Sequence, residues 1–167
     1  AKLRLWLSLV VDEEETKQIK PLPNLDYKIV SGNSLLGFPF KSQRLEEIEK
    51  LKKNFFEEVD RNRKAELNNN IRQKLTECLA SSKRSLGYEV TFDFEIYFSE
   101  VFNQKGGFDT VLANPPYIDS ENMSKNQSQL RQLIQASYSM TRGNWDIYIA
   151  FYEKGFRLLG RGGVLSY

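Results

Sequence analysis

In "GGFDTVLANPPYI", residues 106–118, a strand-like apolar run ends abruptly in Asn114-Pro115-Pro116-Tyr117. Asn114 supplies a side-chain carbonyl acceptor. Pro115 offers a backbone carbonyl on a ring that fixes φ and carries no N–H. Two such acceptors can converge on one NH₂ group. If that group is an amine conjugated to an aromatic ring, hydrogen bonds to both of its protons favour the pyramidal nitrogen that attacks an electrophile over the flat ground state, which is preferential stabilisation of a transition state. Tyr117 adds a flat surface for stacking on the ring that bears the amine. The same four residues also suit a rigid turn at a strand end with Tyr117 in the core. The buried strand before them and the polar stretch after them favour the amine-binding reading.

The elements that must position this turn follow from periodicity. "AKLRLWLSLVV" is dense in apolar residues and predicts a buried helix. "PLPNLDYKIVSGNSLLG" predicts a proline-rich turn, a short strand over Tyr27 to Val30 and a loop centred on Gly32-Asn33-Ser34. From Lys41 to about Ser82 the chain becomes charged helix, with Leu45, Ile48, Leu51, Phe55 and Val59 as its apolar stripe and Asn68-Asn69-Asn70 as a point of loosening. "YEVTFDFEIYFSEVF" reads as extended chain followed by a short turn of helix, "FDTVLAN" as a buried strand, "WDIYIAFYEKGFRLLG" as a helix ended by Gly160, and "GGVLSY" as the start of another strand. This alternation is that of an α/β sheet with crossover helices. Ligands of such sheets sit at the carboxyl ends of strands, so the "SGNS" and "NPPY" loops are expected to face one crevice.

Composition narrows the chemistry. With 167 residues, 40% hydrophobic and 13% aromatic, the chain can bury one sizeable core. A formal charge of +2, from 24 basic and 22 acidic residues, is too balanced to announce a nucleic-acid binder, so any basic face is local. There is no histidine and one cysteine, Cys78, which removes zinc sites, His-based triads and an internal disulfide framework. No apolar stretch approaches the roughly 20 residues of a membrane span, and a reducing cytoplasm is the expected compartment.

Four segments in a fixed order carry a resemblance. "AKLRLWLSLVV", "LPNLDYKIVSGNSLLG", "GGFDTVLANPPYI" and "RGNWDIYIAFYEKGFRLLGRGGVLSY" resemble successive parts of the amino-group DNA methyltransferases, specifically the adenine enzymes of type IIG restriction-modification proteins. The resemblance implies a Rossmann-like methyltransferase sheet, with residues 1–40 and 88–167 forming its core and 41–87 a charged helical insertion. It implies S-adenosylmethionine as methyl donor, with no metal, and double-stranded DNA bearing a flipped adenine as substrate. Asn114 and Pro115 would then hold the target amine, Pro116 would shape the turn, and Tyr117 would stack on the flipped base. Asn33 takes the position that contacts the cofactor's adenine, where many relatives carry aspartate, and Phe151 matches the aromatic lying against that adenine. On spacing alone Asn33 also suits a plain turn, and Phe151 an apolar helix face with Tyr148, Gly155 and Leu158. The Lys and Arg residues of the insertion would contact phosphates, or the insertion is a solvated hairpin of mixed charge.

The family's glycine-rich cofactor loop and its ribose-binding acid are not among these residues, and Gly106-Gly107 cannot replace the loop, because they precede a strand where the loop must follow one. The expectation is a central portion of a larger enzyme, acting with the rest of its parent polypeptide. Two other readings use the same turn: a methyltransferase for the glutamine amide of a release factor, and a non-catalytic DNA-binding module. The 167 residues alone are expected to show no methyl transfer from tritiated S-adenosylmethionine to duplex DNA, since most cofactor contacts that orient the methyl group are missing; robust transfer would contradict the assignment of the missing loop.

Overall fold

The computed structural model describes residues 3, 4, 7, 8, 11, 28–39 and 43–167. The chain divides into two compact units, residues 1–31 and 32–167. In the first, Leu3, Arg4, Leu7 and Ser8 are helical and the Val11 N–H donates to the Leu7 carbonyl at 3.0 Å. Leu3, Leu7 and Val11, one face at helical spacing, are exposed, whereas apolar density predicts a buried helix. No described residue of this unit covers that face. Lys28 to Val30 form a turn and a bend rather than the expected strand, and Tyr27 lies outside the described residues. A strand exists through its ladder partner, and residues 28–30 have none among the described residues.

In the second unit the charged segment is a helical hairpin, α1 (Gln43–Glu57) packed along α2 (Arg61–Leu86). The break falls at Glu58-Val59-Asp60 and not at the asparagine run, which lies inside α2. Glu58 Oε1 accepts from the backbone N–H of Val59 and Asp60, and Asp60 caps α2 by accepting from the Arg63 N–H at 2.8 Å. This break takes Val59 off the apolar stripe, and it is exposed. The Leu45 side chain lies outside the described residues, and Leu51 is half-buried. The buried stripe is instead Ile48, Lys52 and Phe55, facing Ile71, Leu75 and Cys78 of α2.

A lysine on that stripe has a structural reason. After a bend at Tyr88, residues 89–93 are irregular, Asp93 is extended and caps α3 (Phe94–Tyr97), and α4 (Ser99–Lys105) follows. The Lys52 ammonium donates to the carbonyls of Ile96 at 2.9 Å and Tyr97 at 2.5 Å and lies 3.4 Å from Glu100. It satisfies carbonyls that the short α3 leaves open and fastens the hairpin to the body of the unit. Exposed charges elsewhere on the hairpin are mixed in sign, as in the Lys74–Glu47 pair at 2.7 Å.

β1 (Phe108–Leu112) and β2 (Leu159–Ser166) form a parallel pair, with Thr110, Val111 and Leu112 opposite Val164, Leu165 and Ser166. Parallel neighbours need a crossover, here α5 (Ser120–Asn126), α6 (Ser128–Ser137) and α7 (Ile147–Leu158). The observed class is thus α/β with a two-stranded parallel sheet among the described residues. Phe108 anchors the start of β1 in an aromatic cluster, its ring 5.4 Å from Phe98 and 5.5 Å from Phe102. Gly107 is required where the strands begin, because a Cβ there would meet the Gly160 nitrogen at 2.5 Å. Gly160 therefore sits within β2 and does not end the preceding helix; α7 stops at Leu158 and passes straight into the strand. The core, including Leu35, Met123, Ile134, Tyr138, Trp145 and Ala150, lies among the crossover helices and the 32–38 loop.

Candidate functional site

Asn114 to Tyr117 leave the carboxyl end of β1 directly after Ala113, whose N–H still donates to the Ser166 carbonyl at 3.1 Å. The turn closes at once: the Ile118 N–H donates to the Pro116 carbonyl at 3.0 Å, and the Ile118 carbonyl accepts from the Ile147 N–H at 3.1 Å. Asp146 Oδ1 accepts from the Ser120 N–H at 2.8 Å, and Asp119 caps α5. Tyr117 is 99% exposed, so it is not a core residue. Asn114 is exposed and Pro115 half-buried.

These residues border a cavity of about 630 Å³ whose other walls are Asp146, Tyr148 and Tyr152 of the α7 region and Tyr167 after β2. The sequence reading missed these four. Tyr148 and Tyr152 share one helix face at a spacing of four, which is the signal that could have found them; Tyr167 becomes visible only through the β1–β2 pairing. Tyr152 and Tyr167 pack at 5.5 Å between ring centroids, and the Tyr167 hydroxyl donates to the Phe151 carbonyl. Burial raises the Tyr167 pKa. Gly155 lets α7 lie against this strand end, since a Cβ there would meet the Tyr167 hydroxyl at 2.6 Å. The cavity is therefore aromatic, with the carboxylates of Asp119 and Asp146 and no lysine or arginine among the described residues of its lining.

Asn33 and Phe151 stand elsewhere. Asn33 Oδ1 accepts from the N–H groups of Leu35 at 2.9 Å and Leu36 at 3.1 Å, and its own N–H donates to Thr91 Oγ1 at 2.9 Å. Its side-chain acceptor thus serves the turn, and its Nδ2 donor has no partner among the described residues. The loop is held further by the Tyr88 hydroxyl on the Gly37 carbonyl, the Phe38 N–H on Asp93, and the Tyr138 hydroxyl on the Leu35 carbonyl. Phe151 and Ser34 line a second cavity of about 340 Å³ along β1, with Phe94, Phe98, Phe108 and Lys154. The two polar loops thus reach separate neighbouring cavities, joined by Tyr167, which lines both.

The chain matches the family model described as Eco57I restriction-modification methylase over residues 1–167. The chain belongs to that family. No solved structure matches it. Among the described residues of this methylase chain, no group of three or more His, Cys, Asp or Glu side chains could hold a metal ion, and no helix is long and apolar enough to cross a membrane.

The loop that brings Asp146 to the methylase cavity is fastened from behind. Arg131 donates to the Trp145 and Gly143 carbonyls and lies 4.5 Å over the Trp145 ring. Glu153 on α7 accepts from the Ser139 N–H and hydroxyl and from the Met140 N–H at 2.7 Å, and pairs with Arg157. Burial pushes the Glu153 pKa up, but the hydrogen bonds from Ser139, Met140 and Arg157 outweigh it and hold the carboxyl at about 2. A depressed folded pKa contributes stability that is present above the unfolded value, about 4.3, and is lost as pH falls through the folded one. Glu153→Gln is therefore expected to destabilise by roughly 2–3 kcal/mol at pH 7, with the gap to wild type closing between about pH 4 and 2. Urea denaturation across that range measures it; a gap independent of pH would contradict the role of the charge.

Proposed function

We propose that this chain is the amine-binding part of a DNA methyltransferase that moves a methyl group from S-adenosylmethionine to the exocyclic amino group of an adenine flipped out of the duplex. The observation that carries the reading is the Asn114–Tyr117 turn at the carboxyl end of β1, with Tyr117 exposed over an aromatic cavity that no cation lines among the described residues. Such a cavity suits an uncharged base and not a phosphate. Membership of a restriction-modification methylase family supports DNA, over the glutamine amide of a release factor, as the source of the amine. In this reading residues 1–40 and 88–167 belong to one Rossmann-like core, and the 41–87 hairpin is an insertion.

The residues act by position. Asn114 Oδ1 and the Pro115 carbonyl each accept one proton of the amine, which directs its lone pair and favours the pyramidal nitrogen. Pro116 holds the turn rigid through its fixed φ. Tyr117 offers its face to the base, which must leave the stack because a paired adenine cannot present its amino group in line with a methyl donor. Bound S-adenosylmethionine supplies the electrophilic methyl group. In this reading Phe151 provides a face for its purine in the second cavity, and Asn33, next to the Ser34 that lines that cavity, retains Nδ2 as a donor to a ring nitrogen, the reverse of an aspartate's contact.

In an active enzyme that contains this chain, Asn114→Ala is expected to lower single-turnover methylation by about 100- to 1,000-fold. An unchanged rate would make the asparagine structural. Tyr117→Ala should slow matched duplex more than duplex with a mispaired target, because stacking, roughly 1–3 kcal/mol per base, offsets the cost of flipping. Tyr117→Phe should be mild. Equal slowing of both substrates, with a normal signal from a fluorescent base analogue at the target, would remove Tyr117 as the stacking platform.

A further inference from the structure

We propose that Lys154 is a ligand-binding residue of the second cavity, its ammonium donating to a ring nitrogen of the purine that Phe151 faces. The inference rests on the cofactor reading above and adds to it the one cationic group among the described residues that line that cavity. Lys154 follows Phe151 by three residues on α7, so the two share a helix face and border the same space with Ser34, Phe94, Phe98 and Phe108. Its Nζ lies 5.4 Å over the Phe94 ring, and among the described residues it has neither a hydrogen-bond acceptor nor a carboxylate within ion-pair distance.

That isolation is unusual for a desolvated ammonium, which is costly to leave without an acceptor. Burial pulls the Lys154 pKa down; Asp93 and Glu95 oppose this from a distance, and Arg157 adds to it. Asp93 makes no ion pair with Lys154; its Oδ1 accepts from the Ile96 N–H at 3.1 Å and its Oδ2 from the Phe38 N–H at 2.9 Å. Arg157, the next cation on the helix, is taken by Glu153 and the Ser137 carbonyl. Lys52 shows what a lysine buried for the fold alone looks like: two carbonyls and a carboxylate surround it. Among the described residues Lys154 has only an aromatic face and open cavity.

The walls specify the missing acceptor. Four phenylalanines around a cavity of about 340 Å³ favour a flat aromatic ring over a compact hydrated anion. A purine nitrogen is an acceptor in the plane of such a ring, and a hydrogen bond from a charged donor to it is strong in a low-dielectric site.

The test is calorimetric titration of the intact enzyme with S-adenosylhomocysteine and its 1-deaza, 3-deaza and 7-deaza analogues, each lacking one ring nitrogen. Wild type is expected to bind one analogue about 10- to 100-fold more weakly than the parent ligand. Lys154→Met should bind the parent more weakly by a similar factor and lose that discrimination. Lys154→Arg, which keeps the cation, should keep discrimination, and it carries the test if thermal melting shows the methionine variant to be unfolded. Wild-type affinity in Lys154→Met, or weakened binding of all four ligands with discrimination intact, would overturn the assignment; in the arginine variant, lost discrimination would do the same. Failure of the wild-type enzyme to bind S-adenosylhomocysteine at all would instead overturn the cofactor reading beneath it.

Discussion

Everything at the site depends on how tightly the chain is tied immediately after Tyr117. The Ile118 carbonyl accepts from the first N–H of α7, and Asp146, at the entrance to that helix, accepts from Ser120. Upstream, Ala113 is still in the β1–β2 ladder. The four residues between are thus suspended between a strand end and a helix start, with two prolines removing most of their remaining freedom. Each of these hydrogen bonds contributes only about 1 kcal/mol net. Their value is geometric, because they leave the Asn114 amide and the Tyr117 ring exposed without leaving the backbone free to collapse over them.

The same tie explains why the support behind the site is so polar. α7 begins at the turn, lines the cavity with Tyr148 and Tyr152, and ends in β2, whose last residues return to the cavity at Tyr167. Any shift of α7 would therefore move three walls together. Glu153 and Arg131 both hold the α6–α7 loop, and Gly155 leaves room for the Leu165 and Tyr167 side chains of the strand end. The 32–38 loop is bound into the same body by hydrogen bonds to Thr91, Asp93, Tyr88 and Tyr138, so the second cavity keeps its place beside the first.

Much of this could be read from residue types. The strand before Asn114, the helix over 147–158 and the return strand were visible because period and length agreed with tertiary packing, but β1 is not buried as its apolar run suggests: Phe108 and Val111 are half-buried and Leu112 is exposed. The readings that went astray share a cause. Lys52 is absent from the expected apolar stripe because its partners, the carbonyls of Ile96 and Tyr97, lie more than forty residues away. Gly160 looked like a helix cap because local sequence cannot show that its lack of a side chain serves the approach of β2 to Gly107. The asparagine run looked like a break, yet the break is at Glu58 and Asp60, whose carboxylates take up the freed N–H groups. For Asn33 the turn was legible, though not that it would consume the side-chain oxygen and leave the nitrogen free. Asp146 was passed over because its meaning depends on the Ser120 N–H.

The central claim is that the turn at Asn114 presents an adenine amine for methylation. It is tested most directly by incubating duplex DNA with the intact enzyme and S-adenosylmethionine, digesting the DNA to nucleosides and identifying the methylated species by mass spectrometry. The account predicts adenosine methylated on its exocyclic nitrogen as the product. Methylation confined to cytosine, or methyl groups recovered only in protein, would contradict it.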